Sequence, residues 1–177
     1  MVHTEIAEVF TLREIEIGNF WYNLAMNLKE VIMKLYQVIP EHYRKKLVLV
    51  GSVNLYLQGI SITPKKDIDF ATDYETVQEL NKLFGDLVTR FCPNRNGDNY
   101  LPFTHLFINV DGWEIEFFDA VDYKDSYYFG LLGDENTKVL FQPDVKGLNL
   151  EQELVAYKKS GKEEKIRLLE KHLNTKI

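Results

Sequence analysis

The sequence predicts a fold that combines helices and strands, α/β in the broad sense and α+β in detail, in which helices flank a mixed β-sheet. Apolar residues run without a break from Leu47 to Val50, as in a buried strand. Residues 103–118 alternate in polarity around an Asp111-Gly112 turn signal, which is typical of a β-hairpin. Apolar residues also recur at helical spacing in residues 20–39 and 74–89. Together these patterns predict one sheet with helices packed against it.

The chain of 177 residues fits a single domain with a sizeable core. We divide it into an N-terminal lead-in and helix (residues 1–40), a core (47–118) and C-terminal helices (148–177) broken near Gly161. Residues 92–102 carry loop signals, and residues 119–136 are interpreted as irregular structure over the sheet. After this irregular segment, a short strand is expected at 138–141 and a loop at 143–149, and no role is assigned to residues 119–147.

Composition excludes several classes of function. The net charge is −6, which argues against a broad nucleic-acid-binding surface because such a surface must be basic. The N-terminus lacks the basic and apolar regions of a signal peptide, and no run is apolar enough to cross a bilayer. Cys92 is the single cysteine, so no internal disulfide can form. We therefore expect a soluble cytoplasmic protein with no membrane partner.

The stretch from Val48 to Phe70 carries the residues that suggest chemistry. Gly51 allows close approach of the backbone to a ligand, and Ser52 begins a short segment of helical character that can hold a phosphate. Asp67 and Asp69 alternate along the next strand and therefore share a face. Two neighbouring carboxylates repel one another unless a cation lies between them, and they suit Mg²⁺.

Gly51-Ser52 followed by Asp67-Ile68-Asp69 resembles the Gly-Ser…Asp-x-Asp signature of the polymerase-β-like nucleotidyltransferase superfamily. The resemblance implies a nucleotidyltransferase-like mixed sheet and a third carboxylate on the second strand of a later hairpin. Glu116 fits that position best, and Glu114 lies nearer the turn. It also implies that the three carboxylates are catalytic and bind Mg²⁺ or Mn²⁺. The activity would be transfer of a nucleoside monophosphate from a nucleoside triphosphate, with ATP expected, to an acceptor hydroxyl.

The resemblance implies nucleotide-binding residues as well, which we place at Gly51, Ser52, Lys66 and Lys158. Several small members end in Ala-Tyr-Lys and then Gly-Lys/Arg-x-x-Lys, matched here by residues 156–158 and 161–165. In some relatives a lysine of this region reaches the phosphates. Lys158 fits that role and equally fits a solvated basic helix face.

Two other functions stay open from the sequence. One is a glycosyltransferase that uses Asp-x-Asp to hold a metal and a nucleotide sugar. The other is a non-catalytic relative that binds a nucleotide or a protein, such as one partner of a toxin–antitoxin pair. The acceptor could be a small molecule, a protein side chain or an RNA end. His105 is expected to be a buried histidine with satisfied hydrogen bonds.

Overall fold

The computed structural model describes residues 28–93 and 103–175. Its helices are α1 (Leu28–Val38), α2 (Glu41–Arg44), α3 (Gly51–Leu57), α4 (Tyr74–Phe84), α5 (Leu150–Ser160) and α6 (Glu163–Asn174). Its strands are β1 (Val48–Val50), β2 (Asp67–Thr72), β3 (Val88–Cys92), β4 (His105–Val110), β5 (Trp113–Asp119), β6 (Thr137–Val139) and β7 (Lys146–Leu148).

The seven strands form one mixed sheet in the order β3-β4-β5-β2-β1-β7-β6. The pairs β2–β5 and β1–β7 are parallel, and the other four pairs are antiparallel. The predicted mixed sheet flanked by helices is therefore confirmed. The β4–β5 hairpin turns at Asp111-Gly112, where both residues have positive φ (52° and 80°), as the predicted tight turn requires.

The two faces of the sheet have different roles. One face carries the main core, which contains apolar residues of α1 and α4 and the inward positions of the central strands, such as Leu49, Ile68 and Phe117. A smaller cluster on the opposite face includes Val50 and Phe118, and α5 contributes Ala156 to it. Alternation along each strand places Asp67 and Asp69 on this second face, since Ile68 and Phe70 point into the main core.

The structure corrects the predicted helix over 74–89. Helix α4 ends at Phe84, because Gly85 adopts a positive φ of 49°, and a 3-10 turn (Gly85–Leu87) follows. Val88 then begins β3, which pairs with β4. The β-branched and aromatic residues of β3 favour a strand, and sheet pairing outweighs the helical spacing of Leu87 and Val88.

The predicted loop at 143–149 is wrong over Lys146–Leu148, which forms strand β7 parallel to β1. The short strand expected at 138–141 begins one residue earlier, as Thr137–Val139. Two helices joined at Gly161, whose φ is +68°, confirm the predicted C-terminal pair. Residues 20–27 of the predicted first helix and most of the predicted 92–102 loop lie outside the described residues. No helix in the described part of the chain is long and apolar enough to cross a membrane.

Candidate active site

Three acidic side chains occupy neighbouring positions on the second face of the sheet. Asp69 of β2 lies directly opposite Glu116 of β5 in the parallel register, and Asp67 lies opposite Glu114. Paired strands are about 4.8 Å apart, so Asp69 and Glu116 stand side by side. Asp67, Asp69 and Glu116 are half-buried, whereas Glu114 is exposed. The structure thus groups the three predicted carboxylates and leaves Glu114 at the solvent edge.

Gly51 closes one side of this group. Its φ is +75°, and a Cβ built on it would lie 2.6 Å from Asp69 Oδ2. Any side chain at position 51 would therefore collide with the carboxylate and strain the backbone. The glycine is required because the turn between β1 and α3 passes directly against Asp69.

Asp69 is the most perturbed of the three acids. Burial, together with the negative charges of Glu116 and Asp67, raises the pKa of Asp69 to about 8, and the positive charges of Lys165 and Lys162 oppose the rise. A carboxyl group crowded by two other anions favours its protonated form until a cation compensates the charge. The cluster therefore has the electrostatic character of a cation site.

Glu116 has a partner of its own. Its Oε1 is in hydrogen-bond contact with His105 Nδ1. The His105 ring is buried and stacks on Phe103, with ring centroids 4.7 Å apart, and on Phe118 at 5.9 Å. The predicted burial of His105 is observed, although its Nε2 has no hydrogen-bond partner among the described residues. This aromatic packing fixes the ring, and the ring in turn orients the carboxylate.

The donor set fits a hard divalent cation. Mg²⁺ and Mn²⁺ prefer carboxylate oxygens, and Asp67 Oδ1 is buried without a hydrogen-bond partner among the described residues. Within residues 28–93 and 103–175, no group of three or more His, Cys, Asp or Glu side chains is placed so that it could hold a metal ion. Glu116 contacts His105 through Oε1, and its second carboxylate oxygen has the chemistry that a metal ligand requires.

A cavity of about 520 Å³ opens beside Asp67. Its walls combine hydroxyl, basic, acidic and apolar side chains. It is lined by Ser52, Ser61, Ile62, Thr63, Lys65, Asp67, Glu164, Lys165 and Leu168. The volume lies in the range of small-molecule sites, and hydroxyl and ammonium groups beside carboxylates suit an anion that arrives with a cation.

Lys165, on α6, lines the cavity. Its Nζ lies 3.4 Å from Tyr157 Oη and 5.1 Å from the centre of the Tyr157 ring. Burial and the neighbouring charge of Lys162 lower the pKa of Lys165, while Asp69, Glu153 and Asp67 act in the opposite direction. This ammonium group is therefore partly desolvated and close to several anions.

The other predicted nucleotide-binding residues lie in different settings. Ser52 lines the cavity, as expected for a phosphate contact. Lys158 forms an ion pair with Glu170 at 2.8 Å between α5 and α6. Lys66 is exposed, with a positive φ of 61°, and its carbonyl oxygen accepts the Glu114 N–H, whereas the neighbouring Lys65 lines the cavity. The structure does not bring Lys66 or Lys158 into the cavity lining.

Glu153 of α5 was not predicted from the sequence. Its side chain is 0% exposed, and its Oε1 accepts hydrogen bonds from Gly51 N at 2.8 Å and from Asn54 Nδ2 at 2.7 Å. The Gly51 N–H is therefore hydrogen-bonded within the protein. A signal was available, because Glu153 lies on the same helical stripe as Leu150 and Tyr157 and a charge on an apolar stripe is unusual.

Comparison with known proteins supports the fold. No family model and no curated protein matches this chain. The chain is similar to a solved structure from Thermotoga maritima described as a "putative nucleotidyltransferase", with 24% sequence identity and a TM-score of 0.51. The match covers 85% of this chain and 96% of that one. The protein therefore has a nucleotidyltransferase-like fold, an α+β mixed sheet flanked by helices.

Proposed function

We propose that this protein is a metal-dependent nucleotidyltransferase that moves a nucleoside monophosphate from a nucleoside triphosphate to an acceptor hydroxyl. The observation that carries the proposal is the parallel register of β2 and β5. It sets Asp69 beside Glu116, with Asp67 two residues away on the same face. Three neighbouring carboxylates, of which Asp67 lines a cavity with basic and hydroxyl groups, match the needs of a cation bound with a triphosphate.

Asp67, Asp69 and Glu116 would hold Mg²⁺ or Mn²⁺, which when bound neutralises phosphate charge and activates the acceptor hydroxyl. Asp69 would hold the cation in its charged form and would then give up the proton that its raised pKa favours. His105 fixes the orientation of Glu116. Ser52 donates a hydrogen bond to a phosphate oxygen, and Lys165 and Lys65 compensate the remaining phosphate charge.

The expected transfer is an in-line displacement at the α-phosphorus. The acceptor oxygen forms a bond to that phosphorus, and the bond to the bridging oxygen breaks, so that pyrophosphate leaves. The hydroxyl proton passes to solvent or to a carboxylate of the cluster. The protein contributes position and electrostatic stabilisation. The acceptor class stays open: a small molecule, a protein side chain or an RNA end.

A labelling experiment tests this function. The protein is incubated with Mg²⁺, a cell extract and each of the four nucleoside triphosphates in turn, labelled at the α-phosphate or at the γ-phosphate. Label that transfers from the α-position alone supports nucleotidyl transfer, and label from the γ-position alone would indicate a kinase instead. Asp67→Asn and Asp69→Asn serve as matched controls that keep shape and remove charge. The proposal fails if these variants label the extract as well as the wild type does.

Ligand-dependent melting separates binding from turnover. Mg²⁺ with a nucleoside triphosphate should raise the melting temperature of the wild type, because a ligand that binds only the folded state stabilises it. The shift should vanish in Asp67→Asn. A non-catalytic nucleotide-binding relative would show the melting shift without any transfer of label. No melting shift with any of the four nucleotides would contradict both functions.

A further inference from the structure

We infer that Glu153 is a positioning residue, a buried carboxylate on α5 that holds the Gly51-Ser52 turn in place against Asp69. Its Oε1 accepts the Gly51 N–H at 2.8 Å and the Asn54 amide at 2.7 Å. Both donors belong to α3, the short helix that follows β1. One oxygen atom from the C-terminal part of the chain therefore fixes two points of the turn.

The position of the turn is set from two sides. A Cβ at Gly51 would lie 2.6 Å from Asp69 Oδ2, so this glycine occupies the gap between two carboxylates, Asp69 on β2 and Glu153 on α5. The hydrogen bond from Gly51 to Glu153 determines how far the turn stands from Asp69. Ser52 is the next residue and lines the cavity, so the same hydrogen bond sets where its hydroxyl lies.

The surrounding contacts fix Glu153 itself. Tyr128 Oη donates to Glu153 Oε2 at 3.4 Å, and Asn54 also donates to the carbonyl oxygen of Leu148 at 2.8 Å. Gln58 donates to that same carbonyl oxygen at 2.7 Å. These bonds join α3, the end of β7, α5 and the segment before β6 into one buried polar network. Such networks hold a single geometry when their members are satisfied.

A buried carboxylate with no structural task would be expensive to keep. Removal of a charge from water without partners is strongly unfavourable, and an apolar residue of similar size would serve the packing of α5 better. Glu153 lies among Leu150, Ala156 and Tyr157, which are all buried. Its Oε1 accepts the Gly51 N–H, so the hydrogen bond to the turn gives this buried carboxylate a structural role.

Three substitutions separate position from charge. Glu153→Gln keeps an acceptor oxygen at the same reach and removes the charge. Its new amide can donate to Tyr128, whose hydroxyl accepts as well as donates. Glu153→Asp keeps the charge and withdraws the oxygens by about 1.5 Å, one carbon–carbon bond. Glu153→Met keeps the length and removes both acceptor and charge. Val155→Ala, on the exposed side of the same helix, is the matched control.

The first measurement is amide hydrogen exchange at Gly51 in the protein without added metal or nucleotide. Loss of one buried hydrogen bond to a charged acceptor corresponds to roughly a tenfold change in an equilibrium constant. We therefore expect exchange at Gly51 to be about tenfold faster in the Asp and Met variants and within about twofold of wild type in the Gln and Val155→Ala variants. If the Met variant does not fold, the Asp variant decides alone.

The second measurement is the affinity for ATP with Mg²⁺ by calorimetry, and this part of the inference rests on the proposed function. Affinity should fall by about tenfold in the Asp and Met variants and stay within about twofold of wild type in the Gln variant. Gly51 exchange that is unchanged in the Asp variant, or as fast in the Gln variant as in the Asp variant, overturns the positioning role. A wild type that binds no nucleotide contradicts the proposed function, and the exchange result still decides the role of Glu153.

Discussion

Replacement of Asp69 by asparagine should make the metal-free protein more stable at alkaline pH. Burial and the charges of Glu116 and Asp67 raise the pKa of Asp69 from 3.8 to about 8. Between these values the folded state keeps a proton that the unfolded state has lost, so stability falls as pH rises through this window. Asparagine is neutral and has a similar shape, and it therefore removes this pH dependence.

The magnitude follows from the pKa difference. Each pH unit in the window corresponds to about 1.4 kcal/mol, so a fully buried carboxyl group shifted this far would lose on the order of 5 kcal/mol by pH 8. Asp69 is half-buried, and solvent screening reduces that figure. We expect Asp69→Asn to gain about 3 kcal/mol relative to wild type between pH 4.5 and pH 8. That gain is a large fraction of the stability of an ordinary domain.

Urea unfolding at pH 4.5, 6 and 8, with a chelator present, measures this difference. The free energy of unfolding of the wild type should fall more steeply with pH than that of Asp69→Asn. Asp134→Asn is the control, because Asp134 is 91% exposed and hydrogen bonding to Lys146 lowers its pKa, the opposite direction. Parallel pH curves for wild type and Asp69→Asn would refute the assignment of Asp69 as a crowded buried acid.

Three further predictions concern the cleft. Ser52→Ala should weaken ATP affinity by about 2- to 12-fold, the range for one neutral hydrogen bond, and equal affinities in calorimetry would contradict the phosphate role. Lys165→Met should weaken ATP affinity by at least about tenfold, as for a lost charged hydrogen bond. Lys158→Met should leave the affinity unchanged, because Lys158 is paired with Glu170, and a larger loss in the Lys158 variant would reverse the assignment. Gly51→Ala should lower the free energy of unfolding by at least about 1 kcal/mol, from positive φ alone, and a melting temperature equal to wild type would show that the turn can move away from Asp69.

The central strands could be predicted from the sequence because local pattern and sheet pairing agree there. Residues of β2 alternate between carboxylate and core, and the hairpin of β4 and β5 has a turn of two residues that both accept positive φ. Strand β7, which lies between β1 and the edge strand β6, could not be predicted in the same way. Strand β7 has three residues and includes Gly147, a poor strand former, and its pairing with β1 joins parts of the chain nearly a hundred residues apart.

The candidate site shows the same division. Two strands with strong patterns and a family resemblance predicted that Asp67, Asp69 and Glu116 would group together, whereas the parallel register that sets Asp69 against Glu116 is seen only in the structure. The sequence could not show whether Lys158 or Lys165 lies at the cavity, because the two lysines belong to different helices. Their positions depend on how α5 packs against α6. The role of Glu153 could not be predicted for a similar reason, since its hydrogen-bond partners Gly51 and Asn54 are about a hundred residues earlier in the chain.

The site concentrates buried acids, and this carries a cost in the metal-free fold. Burial raises the pKa of Glu153 to about 7, although its hydrogen bonds with Asn54 and Gly51 act in the opposite direction. Burial and the anionic neighbours Glu116 and Asp67 raise the pKa of Asp69 to about 8. Both groups destabilise the folded state as pH rises, and Lys165 compensates each only in part. The difference between them is that Glu153 has its hydrogen-bond donors within the fold, whereas the proposed cation would relieve the crowding around Asp69. A sequence selected for stability alone would replace Asp69 by a neutral residue. The presence of a charged residue at that position is therefore consistent with the cation site that we propose.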